Sequence, residues 1–110
     1  MSETPNEVEV RRFSRALFGN RHKLEVLAAI AVGDRMFYVQ AIAANTGIPS
    51  STVRPVVKDL VDVVVRELPF VGHRNAAHYH ERLEHPIWQM AVELLHDVRA
   101  GFPVPSIADD

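Results

Sequence analysis

The sequence predicts a mainly α domain with a small β-hairpin, an α+β chain, and three observations predict it. Apolar residues recur at helical spacing through residues 9–62 and again through residues 86–99. Between them Val63-Val64-Val65 is β-branched and leads into a segment holding Gly72 and Asn75, the pattern of a strand entering a turn. The composition, 47% hydrophobic and 24% charged over 110 residues, suffices for one core and is too apolar for bulk disorder.

Each element has its own signal. Residues 1–8, polar and holding Pro5, read as a flexible acidic arm, residues 9–99 as the folded domain and residues 100–110 as an acidic tail. From Glu9, the residues Val10, Phe13, Ala16 and Leu17 share one helical face until Gly19-Asn20 interrupts. Asn20 is placed as an N-cap for a second helix, Arg21 to about Val32, with Leu24, Leu27, Ala28 and Ala31 inward. Gly33-Asp34 ends it, and Phe37 to Asn45 predicts a short third helix closed by Gly47. After Ile48-Pro49-Ser50 a fourth helix spans residues 50–62. Val63 to Leu68 then predicts a strand, residues 69–75 a hairpin tip, and Ala76 to Leu83 the returning strand. On that strand Ala77 and Tyr79 face one way and His78, His80 and Arg82 the other. Pro86 suits the first turn of a last helix reaching about Arg99, which Gly101, Pro103 and Pro105 stop.

Composition also excludes functions. With no cysteine, the chain has no disulfide, thiolate zinc site, iron–sulfur cluster or cysteine nucleophile. It has no glycine-rich phosphate loop, nucleophile elbow or HExxH helix, and capping accounts for Ser50 and Ser51, so neither an enzyme nor a cofactor is expected. Its apolar runs, Val26 to Val32 and Val63 to Val65, fall far short of a membrane span, and Met1 to Pro5 shows no signal-peptide core. The expectation is a cytoplasmic protein with no membrane partner. Net charge is −2, but it is partitioned: −3 over residues 1–10, +5 over 11–82 and −4 over 83–110. A basic middle between acidic ends fits a polyanion-binding surface and equally an ordinary solvated one.

The stretch from Val39 to Val53 resembles a helix-turn-helix. Two helices crossing steeply need a small residue at close approach, which Ala43 supplies, and a turn residue at positive φ, which Gly47 supplies. Ile42, Ile48, Val53 and Val56 or Val57 are placed to plug the crossing; an ordinary αα-hairpin would use the same residues. With the hairpin appended, residues 11–98 resemble the winged helix-turn-helix transcription regulators of bacteria, of the broad ArsR/MarR type. Leu17-Phe18-Gly19-Asn20-Arg21-His22-Lys23-Leu24 and Ser51-Thr52-Val53 to Leu60 carry the likeness. Two departures stand out: Val64 and Val65 occupy the wing entry where such proteins often have glycine and leucine, and Pro55 lies where a recognition helix usually has a polar residue.

Proline inside a helix removes a donor and crowds the preceding turn, so the fourth helix is expected to start late, with Thr52 as cap, or irregularly from Ser50. Ser50, Ser51, Thr52, Arg54 and Lys58 then form its outer face, and the resemblance implies that this face enters a major groove of double-stranded DNA. His73, Arg74 and Asn75 at the wing tip are candidates for the flanking minor groove. Arg21 and Lys23, with His22, form a third basic cluster at a helix N-terminus, whose free N–H groups favour phosphate.

Six histidines raise a metal reading, through His78-x-His80 and Glu93-x-x-His96, like the carboxylate and histidine pairs of ArsR-type sensors. The last helix lacks a full paired motif, and His85 reads as its cap, so no metal site is assigned. That helix carries two apolar stripes, Ile87, Ala91, Leu94 and Val98 beside Trp88, Val92 and Leu95, which is more than one domain face needs. A two-fold homodimer is expected, with Phe13, Leu17, Trp88, Ala91, Val92 and Leu95 at its interface, although a single wide core face is the alternative. Two functions remain: a dimeric, sequence-specific DNA-binding regulator of repressor type, or a winged-helix module that docks protein and no DNA.

Overall fold

The structure, a computed structural model, describes residues 5–69 and 78–101. Its centre is α2 (Lys23–Val32), a helix whose residues after Glu25 are all apolar and which must therefore be covered on more than one side. Leu24, Val26, Leu27, Ala28 and Ile30 are all buried. The covering helices are α1 (Pro5–Phe18), α3 (Val39–Thr46), α4 (Ser50–Leu60) and α5 (Ile87–Arg99), each packed against α2. Three short strands, β1 (Met36–Phe37), β2 (Val65–Glu67) and β3 (His80–Arg82), form an antiparallel sheet in the order β1-β3-β2. In its register Phe37 and Glu67 both lie opposite His80. Five helices and this small sheet, among the described residues, make a mainly helical α+β chain.

Several boundaries differ from the sequence expectation, each for a local reason. The first helix begins at Pro5, inside the expected arm, because Glu7 is held by Arg99 through hydrogen bonds of 2.9 and 3.0 Å. Asn20 does not cap α2. Its Oδ1 accepts the His22 N–H at 2.8 Å, closing a turn before the helix starts at Lys23. The cap arrives from another helix: the buried Ser14 hydroxyl donates to the Asn20 carbonyl at 2.6 Å and accepts the Leu24 N–H at 2.9 Å. Phe37 belongs to β1 and not to the third helix. The fourth helix stops at Leu60, since Val61 is extended and Asp62 takes φ 68°. Val63 and Val64 consequently lie in a turn, and the strand starts only at Val65.

Charged groups fasten the helices to α2. Glu25, 5% exposed, receives Arg11 Nε from α1 at 3.4 Å and has Arg99 of α5 at 3.9 Å. His22 Nδ1 lies 3.7 Å from the same carboxylate. Hydrogen bonding to Glu7, opposed by partial burial, pushes the Arg99 guanidinium further above its already high pKa. At the other end of α2, Arg82 donates to the carbonyls of Ile30, Ala31 and Gly33 at 2.6, 3.1 and 3.0 Å, a cation set on the negative end of the helix.

The last helix corrects the interface expectation. Trp88 is buried, its Nε1 donating to the Leu83 carbonyl at 2.6 Å, and Ala91 is fully enclosed. Both belong to this chain's own core and cannot anchor a partner. Val92 and Leu95 are half-buried, Phe13 packs partly against the core, and Leu17 stands 55% exposed. His85 acts at the helix start as expected, accepting the Ile87 N–H on Nδ1 at 3.0 Å, while Pro86 is the N-cap residue.

Candidate nucleic-acid interface

α3 and α4 are joined by the three residues 47–49. Gly47 takes φ 74°, and a Cβ there would meet nothing within 4 Å, so conformation and not space calls for glycine. Its N–H closes α3 onto the Ala43 carbonyl at 2.9 Å. Thr46 then links helix and turn: its hydroxyl donates to the Ile42 carbonyl at 2.8 Å and accepts the Ile48 N–H at 3.2 Å. Ile48 is buried between the helices with Ile42, Val53, Val56 and Val57, and Ala43 packs against the same cluster.

α4 starts neither late nor on a hydroxyl cap. Pro49 is its N-cap, with φ −57° and ψ 144°, and its carbonyl accepts the N–H groups of Thr52 and Val53 at 2.9 and 3.0 Å. Ser50 is therefore already helical and Pro55 lies inside the helix. Pro55 is exposed, so its ring meets water, and it brings no N–H to the Ser51 carbonyl. Val53, Val56, Val57 and Leu60 fix the inner face. Ser51, Arg54 and Lys58 follow at helical spacing on the exposed side, with Pro55 and Asp59 beside them and Ser50 and Thr52 half-buried at the start. Among the described residues neither Arg54 nor Lys58 has an ion-pair partner. Small hydroxyls and two free cations on a rigid helix can hold phosphates and reach base edges.

The other expected contacts are not joined to this face. His73, Arg74 and Asn75 lie outside the described residues, as does the hairpin tip beyond Pro69. Arg21 is exposed and Lys23 half-buried. The expected phosphate site on free N–H groups of α2 is weakened, because Ser14 occupies the Leu24 N–H and Glu25 already sets a carboxylate in the first turn. Arg21 stands instead with Val8, Arg11, Arg12 and Arg15 around one depression, to which α4 contributes nothing. The α1 arginines are a set that the sequence reasoning missed; their signal was the i, i+1, i+4 spacing in Arg11-Arg12-Phe13-Ser14-Arg15.

The base of the hairpin is held by charge and stacking. Glu81 of β3 is bracketed by Arg35, at 3.1 Å, and by a close contact with Arg66 of β2. Buried His80 stacks on Phe37 with ring centroids 5.6 Å apart and on His78 at 5.2 Å, and its Nε2 lies 3.9 Å from Glu67. Its Nδ1 is buried without a hydrogen-bond partner among the described residues. Burial first, then the neighbouring His78, lower the pKa of His80, against an upward pull from Glu67 and a backbone hydrogen bond at His78. No group of three or more histidine or acidic side chains able to hold a metal occurs among the described residues.

Compared with family models, curated proteins and solved structures, the chain matches none.

Proposed function

We propose that this chain is a sequence-specific, double-stranded-DNA-binding regulator of repressor type, acting in the cytoplasm, in which α3 and α4 serve as a helix-turn-helix. One observation carries the proposal: Ser51, Arg54 and Lys58 stand exposed on α4, the two cations without acidic partners among the described residues, while Val53, Val56, Val57 and Leu60 lock the opposite face. In this role Ser51 and Lys58 hold phosphates and Arg54 reaches a guanine edge. Residues 69–75 act as a wing over the flanking minor groove, with Arg74 as its cation. Leu17, Val92 and Leu95 supply the apolar contact of a two-fold dimer, which sets two half-sites about 34 Å apart or a small multiple of it.

The test is enrichment of random genomic duplex fragments at low and moderate salt. A regulator enriches a short inverted repeat. Arg54→Ala then costs on the order of 1–3 kcal/mol at the cognate site and relaxes preference at one base position. Lys58→Ala weakens binding to every sequence and lowers the salt slope by about one unit. Pro55 and Asp59, exposed beside those cations, favour a second reading: a winged-helix module that docks protein through the same face. Enrichment of no sequence, together with parent-like behaviour of both variants, is the outcome that selects it.

A further inference from the structure

Acidic residues outnumber Lys and Arg in this chain, 14 to 12, so no shortage of carboxylates leaves a cation unpaired. Three of the exposed arginines are compensated. Arg35 and Arg66 share Glu81, and Arg99 has Glu7. The corner where α1 meets the turn into α2 is different. Val8, Arg11, Arg12, Arg15 and Arg21 line one depression there. Arg11 is anchored on Glu25. Among the described residues Arg12 reaches only Glu9, at 3.6 Å, with the two side chains 80% and 58% exposed, a contact of little worth. Arg15 and Arg21 are exposed and have no acidic partner among the described residues.

All four cations are arginine. The guanidinium is planar, always charged and forked, which matches a phosphate diester oxygen pair better than a lysine ammonium does. Two separate segments converge to make the surface, since Arg21 comes from the turn beyond α1. The apolar wall of the depression is Val8, half exposed. Four guanidinium groups spread over a helix and the following turn suit a run of phosphates. Arg11 and Arg15 are four residues apart, so the cations are spread along roughly 6 Å of helix axis.

We infer that Arg12, Arg15 and Arg21 form a second, sequence-independent contact with the sugar-phosphate backbone of duplex DNA, separate from α4. The inference rests on the proposal above for the identity of the polyanion and adds a site to it. α4 lines none of this depression, so the two contacts use separate surfaces of the chain. Such a contact adds affinity and salt dependence and leaves base preference untouched.

The experiment compares the parent, an Arg15→Ala/Arg21→Ala variant and an Arg54→Ala/Lys58→Ala variant, titrated with duplex DNA across a salt series, with heparin as a second polyanion. The Arg15 and Arg21 side chains hold no acidic partner among the described residues, so circular dichroism should show an unchanged fold. The expected result is a slope of log affinity against log salt that is shallower by about two units in Arg15→Ala/Arg21→Ala, with the enriched sequence unchanged. An unchanged slope in that variant, with loss of sequence preference in Arg54→Ala/Lys58→Ala, overturns the corner site and leaves the α4 reading standing. The reverse pattern supports the corner site and removes α4 from DNA. Parent binding to heparin but to no duplex overturns the DNA assignment of both surfaces.

Discussion

At the α1–α2–α5 junction, Arg11 and Arg99 converge on the buried carboxylate of Glu25, with Glu7 and His22 beside them. On α4, Arg54 and Lys58 stand in solvent and form no ion pair among the described residues, although Asp59 is exposed beside them. The two regions use the same residue types for opposite ends. In the first, cations from two helices meet an acid on a third, and charge acts as a fastener. In the second, the fastening is done by valines and a leucine on the far face, and charge is left for something outside the chain. The difference shows that net charge is a poor guide to a chain whose cations are divided in this way.

The largest way to break that contrast is at Glu25. Glu25→Ala leaves Arg11 and Arg99 facing a site without its anion and should cost about 2–4 kcal/mol; the partners' partial exposure keeps this below the full cost of a fully buried pair. Urea unfolding measures it, and a loss no larger than that of an average surface change would show that the junction is held by packing alone. Next comes Ser14→Ala, which leaves the Leu24 N–H and the Asn20 carbonyl without their partner. It should cost about 1–3 kcal/mol in the same assay.

Acidification probes a third group. The pKa of His80 is lowered in the fold, while the unfolded chain titrates near the ordinary 6.5. Below that value the unfolded state binds a proton that the folded state resists, so the stability contribution is whole above 6.5 and is lost as pH falls from 6.5 through the lowered folded pKa. Unfolding the parent and His80→Phe at about pH 7.5 and about pH 5 tests it, with the parent losing more on acidification. Equal losses would remove His80 as the cause. The smallest effect is the sharpest contrast: Arg54→Ala and Lys58→Ala should each shift stability by less than about 0.5 kcal/mol. A larger loss would mean that the α4 cations serve the fold after all.

Much of the helical order was legible in the sequence, because apolar spacing and the glycine at 47 are local signals. Gly47 marked the turn correctly, and Ile42, Ile48 and Val53 were placed in the core. What escaped depends on partners distant in sequence. β1 is two residues long, too short for alternation to show, and exists only because β3 lies beside it. The cap of α2 is a serine ten residues upstream of the N–H it binds, so Asn20 was the obvious local choice. Trp88 could be counted among outward apolar residues until the Leu83 carbonyl was seen to hold its indole inward. On the site, the outer face of α4 followed from spacing, whereas the absence of partners for Arg54 and Lys58 among the described residues is a property of everything around them.

Pro55 has a consequence that side-chain chemistry does not capture. By lacking an N–H it leaves the Ser51 carbonyl without the donor that the helix would otherwise supply four residues on. Ser51 itself is exposed, so an oxygen lacking that helical donor is carried on the outer side of α4. No replacement of Ser51 can take that oxygen away. Only residue 55 controls it, so a change from proline to alanine would silence an atom belonging to another residue, and would do so by restoring an ordinary turn of helix.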